Sequence, residues 1–160
     1  MTPDETGLNE EEVSALKVEF EALDCVVTDL DEECFEISPK EYCVATHVYA
    51  TPYFLQLSTM IIARPKGFPF RTRTKLYVFL NRANSSAKLA KFFLEGDKAR
   101  PEFGGWMIMA SVKFVSGNVG ADWDRSVLKN CLNLWLQDIA EFVLLPAPFG
   151  FEMMKREHRQ

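Results

Sequence analysis

The stretch that decides the fold runs from Thr74 to Gly117 and reads TKLYVFLNRANSSAKLAKFFLEGDKARPEFGGWMIMASVKFVSG. It begins with the spacing of a short helix. Apolar residues recur three, four and seven positions after Leu76, at Phe79, Leu80 and Ala83. These residues form one apolar stripe, so the stretch opens with an amphipathic helix that packs against the rest of the chain.

The same stretch continues with a turn and two strands. Asn84-Ser85-Ser86 predicts the end of the helix, because asparagine and serine side chains compete for local backbone hydrogen bonds. Apolar and other residues then alternate over Lys88–Glu95 and over Gly104–Val115, which is typical of strands with one buried face. The intervening segment 95–101 contains glycine and proline and is predicted as a loop.

Further elements flank this stretch on both sides. The patterns predict a helix that begins after Asn9, strands at Cys25–Asp29, Cys34–Ser38, Tyr42–Ala50 and Tyr53–Ile61, and a long C-terminal helix at Asp122–Leu145. Residues 1–8 and 147–160 are predicted as flexible ends. The sequence therefore predicts a single α+β domain over residues 9–146. We expect an antiparallel sheet with N-terminal, central and C-terminal helices, in the order α-β(3 or more)-α-β-β-α.

Composition is that of an ordinary globular protein, with 48% hydrophobic and 26% charged residues. The acidic start lacks the basic and apolar regions of a signal peptide, and no run reaches the ~18 apolar residues of a membrane helix. We therefore expect a cytoplasmic protein that does not enter a membrane. The four cysteines show no CxxC pairing, so we interpret them as reduced thiols.

The order of elements resembles the YbjN family of bacterial sensory transduction regulators and, more broadly, the type III secretion chaperone-like fold. The resemblance spans about Leu8 to Leu145. It rests mainly on the Leu76–Asn84 helix with the strand after it, and on the Trp106–Phe114 strand followed by the C-terminal helix. It implies a small acidic α+β protein, often a homodimer, that works by binding other proteins. The expected function is thus a non-enzymatic protein-binding module, regulator- or chaperone-like.

Two sets of apolar residues are candidates for partner binding. Met107 and Met109 share a strand face with Ser111 and Lys113, so that face is either covered by a helix or presented to a partner. Leu134 lies on a flank of the C-terminal helix that is broader than packing on one sheet requires. We therefore assign Met107, Met109 and Leu134 to partner binding, and we expect a homodimer.

Charge is distributed unevenly along the chain, whose net charge is −5. Residues 1–63 hold two basic and fourteen acidic residues, whereas residues 64–100 hold ten basic and two acidic ones. Acidic and basic faces can neutralise one another within one fold or a dimer, or the basic part can bind an anionic partner. The alternative function is therefore a nucleic-acid or anion binder that uses the basic loop 64–75. Its candidate residues are Arg64, Lys66, Arg71, Arg73 and Lys75. Nucleic acid is the less favoured partner, because the acidic first third lies in the same domain.

No catalytic or cofactor site is expected. Cys43 and His47 share a strand face, but four residues of strand separate them by about 13 Å, far beyond the reach of general-base catalysis. Two histidines and scattered cysteines do not suggest a four-ligand zinc site. The acidic run at 29–33 lacks the glycine and closing glutamate of a calcium loop. We therefore expect no enzyme activity, no metal and no cofactor.

Overall fold

The structure is a computed structural model that describes residues 10–31, 34–40, 45–51, 54–66, 72–96, 98–115, 125–148 and 150–155. The helices are α1 (Glu10–Ala22), α2 (Thr72–Ser86) and α3 (Arg125–Leu144). The strands are β1 (Cys25–Asp29), β2 (Cys34–Pro39), β3 (Thr46–Ala50), β4 (Phe54–Pro65), β5 (Lys91–Leu94), β6 (Trp106–Val115) and β7 (Phe151–Lys155), and one 3₁₀ turn covers Pro101–Phe103.

The strands within the described ranges are hydrogen-bonded in the order β1-β2-β3-β4-β6-β5, and β7 pairs with β4. Consecutive strands from β1 to β4 are antiparallel, as are β5 with β6 and β4 with β7. Helices precede, interrupt and follow the strand groups. The predicted α+β class, with N-terminal, central and C-terminal helices and an antiparallel sheet, is confirmed.

Contacts divide the chain into two compact units. The first contains the described residues up to Ser58 and those within Val112–Leu132. Here α1 contacts β1, and Phe20 of α1 meets Phe35 of β2 edge-on with ring centroids 6.0 Å apart. Leu16 and Phe20 are buried one helical turn apart, which is the amphipathic spacing. They anchor α1.

The second unit contains the described residues within Thr59–Ser111 and Asn133–Arg156. A cluster of three rings joins its two helices to β5. Phe142 of α3 stacks on Phe92 of β5 at 4.3 Å and meets Phe79 of α2 edge-on at 5.3 Å. All three are buried. Each such pair contributes about 1 kcal/mol beyond the burial of its apolar area.

A buried aspartate fixes the connection between α2 and β5. Asp138 of α3 is 2% exposed. Its Oδ1 accepts the backbone N–H of Lys88 at 2.9 Å, and its Oδ2 accepts those of Leu89 and Ala90 at 2.6 and 2.8 Å. The strand predicted to begin at Lys88 therefore begins at Lys91, because the preceding amides bond to a carboxylate instead of to a strand.

The end of α2 lies within Asn84-Ser85-Ser86, where the sequence predicted it. The helix continues through Ser85 and Ser86, whose hydroxyls donate back to the carbonyl of Arg82. Asn84 lies inside the helix and bonds to β5: its Nδ2 donates to the carbonyl of Phe92, and its Oδ1 accepts the N–H of Phe92, both at 2.8 Å. The side chain of Asn84 thus replaces one backbone partner along the outer edge of β5.

Residues 151–155 were expected to belong to a flexible tail, but they form β7. This strand pairs antiparallel with the second half of β4, from Ile61↔Lys155 to Pro65↔Phe151. Phe151 is buried, and the N–H of Lys66 donates to the carbonyl of Gly150 at 2.6 Å. This long-range pairing orders the segment, and no local sequence pattern predicts it.

A glycine permits a close approach of backbones beside β4. A Cβ atom added at Gly105 would lie 2.5 Å from the carbonyl oxygen of Ala63, a distance that no real side chain tolerates. The atom in the way belongs to the backbone, so it cannot move without displacing the strand. Only glycine fits at this position.

We predict that Asp138→Asn lowers the free energy of unfolding by about 3 kcal/mol, because the charge is lost and an amide N–H₂ meets backbone N–H donors. Urea unfolding followed by circular dichroism measures the change. Glu141→Gln is the matched control on the exposed side of the same helix and should change stability by less than about 0.5 kcal/mol. Equal effects of the two variants would contradict the role assigned to Asp138.

We predict that Gly105→Ala destabilises the protein by about 3 kcal/mol, since the added methyl group collides with the Ala63 carbonyl. A thermal melt with Glu102→Ala as the control measures it, because Glu102 is exposed nearby. A melting temperature unchanged by Gly105→Ala would show that the backbones are farther apart.

Candidate partner-binding surface

Apolar side chains lie on the face of the second unit's strands that points away from its buried core. In β5 and β6, Phe93 and Met109 are cross-strand partners, and Met107 follows on the same face of β6. Phe93 is 44% exposed, Met109 is half-buried and Met107 is 8% exposed. We call Phe93, Met107 and Met109, together with Met60 and Ile62 of β4, the methionine face.

Strand alternation explains why these residues point outward. Phe92 is buried on the ring of Phe142, so its neighbour Phe93 must project to the other side of β5. In β4, Ile61 and Ala63 are buried, and the half-buried Met60 and Ile62 alternate with them. The face is therefore a by-product of the packing that places the opposite residues in the core.

Polar residues border the methionine face. Lys91 and Ser111 are cross-strand partners beside the Phe93–Met109 pair, and Lys91 is exposed. Arg64 is exposed at the end of β4 and lies close to Gly104. A Cβ atom added at Gly104 would be 3.6 Å from the Nε of Arg64. An apolar centre with a cationic border suits a partner segment that is apolar with polar or acidic ends.

Leu134 does not belong to this face. It lies on α3, which packs through Phe142 against the opposite, buried side of β5, where Phe92 lies. Leu134 itself is half-buried. Of the three residues assigned to partner binding, Met107 and Met109 thus lie on a strand and Leu134 lies on the helix. Farther along the same helix, Leu144 is 82% exposed.

The four described basic residues of the alternative site lie on two separate parts of the chain. Arg64 and Lys66 are exposed at and just after the end of β4, whereas Arg73 and Lys75 are in the first turns of α2. The guanidinium of Arg73 lies over the ring of Tyr77 at 5.5 Å and within 3.4 Å of its hydroxyl. Arg71 lies outside the described residues.

A mixed aromatic and charged cluster lies in the first unit. Tyr49 and Phe54 have ring centroids 5.9 Å apart, and the Nζ of Lys113 lies 4.2 Å from the centre of the Phe54 ring. His47 Nε2 lies 3.3 Å from the Oε2 of Glu36, its cross-strand partner. The partner of His47 is thus a buried glutamate, and Cys43 lies outside the described residues. Cross-strand register decides this pairing, so spacing along the chain does not reveal it.

Burial shapes the chemistry of the described cysteines. Desolvation, with the neighbouring Asp24 charge second, raises the pKa of Cys25 to about 11. Burial also raises the pKa of Cys34, assisted by Asp31 and Glu36, and burial raises that of Cys131. A reactive cysteine has a lowered pKa, so these three thiols have the character of packing residues.

Among the described residues, no group of three or more histidine, cysteine, aspartate or glutamate side chains could hold a metal ion. Among the helices of the described part, none combines the length and apolar character needed to span a bilayer.

Sequence reasoning missed Phe93 as a surface residue. The alternation places Phe93 on one strand face with the charged Lys91 and Glu95, and this signal could have identified it as a surface residue. The burial of Phe92 on Phe142 shows that Phe93 is the outward ring.

Comparison with known proteins supports the fold. No protein-family model matches the sequence, and no curated protein matches it either. The structure is similar to the crystal structure of YbjN, a candidate transcription regulator from E. coli, with a TM-score of 0.61 and 13% sequence identity. The match covers 82% of this chain and 88% of that chain. At this identity the likeness shows the fold alone: the chain has a YbjN-like α+β fold.

Proposed function

We propose that this protein is a non-enzymatic, regulator-like or chaperone-like module of the cytoplasm that holds an apolar segment of another protein on the methionine face. The observation that carries the proposal is Phe93, which is 44% exposed on a regular strand beside Met109. A large ring in that position contributes little to the fold and much to a partner. Phenylalanine and methionine are both enriched in protein interfaces.

Two properties suit the methionine face to partners of varied sequence. Thioether side chains are flexible and polarizable, so the half-buried Met60 and Met109 can adapt their rotamers to different apolar groups. The strands beneath them are fixed by the buried residues of the opposite side, such as Phe92. On the side of this protein, binding therefore orders only side chains, which keeps its share of the entropic cost low.

The test is photo-crosslinking from position 93 in the source cell. A benzoylphenylalanine in place of Phe93 should give discrete adducts with another protein, and the additional substitution Met109→Asp should remove them because it places a charge in the apolar centre. The control places the same photo-crosslinker at Tyr77, a comparably exposed aromatic residue of α2.

The same adducts from positions 93 and 77, or none from position 93, would contradict the proposal. Adducts with nucleic acid that disappear in Arg73→Ala would instead support the anion-binding alternative.

We also propose a homodimer that forms through the exposed apolar residues of α3. Leu144 is 82% exposed on the part of α3 that belongs to the second unit, and Leu134 of the same part is half-buried. Exposed apolar side chains on a helix are typical of an interface.

Sedimentation at micromolar concentration should give twice the chain mass of 18.3 kDa. The double variant Leu134→Glu, Leu144→Glu should sediment as a monomer, because it places two charges in the apolar contact. The control Val78→Glu, at an exposed position of α2, should remain dimeric. A monomeric parent protein would show that the helix residues serve another purpose.

A further inference from the structure

The two outermost strands, β1 and β5, differ in whether the main-chain groups on their outer edges are hydrogen-bonded. The outward main-chain groups of Phe92 in β5 are both bonded to Asn84. In β1 the hydrogen bonds Lys40 N–H to Asp24 O and Leu30 N–H to Cys34 O show which residues face β2. Because direction alternates along an antiparallel strand, Asp24, Val26, Thr28 and Leu30 bond inward, and Cys25, Val27 and Asp29 direct their amides and carbonyls outward.

The outward groups of β1 have no partner within the part of the chain that the structure describes. The backbone bonds found there leave the N–H and C=O of Val27 unbonded. Val26 is 44% exposed and Thr28 is exposed on the strand face that bears Glu36 and Ser38 of β2. A strand edge with unpaired groups and accessible apolar side chains is the template on which an extended peptide adds by main-chain hydrogen bonds.

Charge selects the occupant of this edge. Asp24 and Asp29 flank β1 with largely exposed side chains, and their ion-pair partners Lys40 and Lys17 are the two basic residues of the first 63. That part of the chain still carries a net charge of −12. A second copy is disfavoured, because pairing two β1 strands would bring together two segments that each carry this net negative charge.

We propose that the edge of β1 binds a basic, extended segment of a partner protein as an added antiparallel strand. Its alternate apolar residues cover Val26, and its lysines or arginines lie near Asp24 and Asp29. The inference rests on the proposed protein-binding function but uses a surface other than the methionine face. The partner thus has a basic strand-forming segment, which is separate from any segment that it places on Phe93.

The probe is an acetylated and amidated nine-residue peptide of alternating lysine and valine, titrated by fluorescence anisotropy. Val27→Pro removes the outward N–H without touching the ladder to β2 and should weaken binding about tenfold or more. Val27→Thr keeps the amide and the branched side chain and should bind as the parent does. The corresponding glutamate–valine peptide should bind at least about tenfold more weakly than the lysine peptide, and the difference should shrink in salt.

Hydrogen exchange provides a readout that does not depend on the proline variant folding. Saturating lysine peptide should slow exchange of the Val27 amide in the parent protein, and Phe93→Asp should not alter this. Unchanged exchange at Val27, equal binding by Val27→Pro in a folded state, or preference for the glutamate peptide would each overturn the proposal. Loss of binding in Phe93→Asp with Val27→Pro unaffected would also overturn it while leaving the methionine face as the binding site. Self-association abolished by Val27→Pro, without peptide binding, would replace the partner with a second copy.

Discussion

One carboxylate holds the second unit together. Asp138 accepts three consecutive backbone amides, those of Lys88, Leu89 and Ala90, which would otherwise be unbonded between a helix and a strand. A carboxylate is acceptor-only when ionised and has lone pairs for all three donors. By fixing these amides, Asp138 determines where β5 begins. One turn farther along the same helix, Phe142 contacts Phe79 and Phe92, and the burial of Phe92 leaves Phe93 facing outward.

The local patterns predicted much of this arrangement, because alternation and helical spacing are properties of neighbouring residues. Leu76, Phe79, Leu80 and Ala83 are all buried in α2, and Trp106, Ile108 and Ala110 are buried in β6, as expected. The class of the fold follows from such elements and their order. The order of these elements is also the basis of the resemblance to the YbjN fold, which the structural comparison supports.

What the sequence did not reveal depends on residues far apart in the chain. β7 exists because Phe151–Lys155 finds the second half of β4, about ninety residues earlier. The spacing of Asp138 did indicate its burial, since it lies three residues after Trp135 and four before Phe142 on the buried stripe of α3. A buried carboxylate needs hydrogen-bond donors as partners. The identity of those partners is a matter of tertiary structure. The candidate surface shows the same limit, because the sequence named Met107, Met109 and Leu134 as partner-binding residues without revealing which of them share one surface.

The cover of the outer edge of β5 depends on one side-chain amide, that of Asn84. Its amide both donates to and accepts from Phe92, a pair of bonds that no other side chain except glutamine can imitate. Slow hydrolysis of that amide would leave a carboxylate whose oxygen repels the Phe92 carbonyl, so the outer edge of β5 would lose its cover. An old copy of the protein would then carry a second exposed strand edge that a newly made copy lacks. The intact amide of Asn84 thus keeps the outer edge of β5 covered at Phe92, whereas the edge of β1 is open in either form.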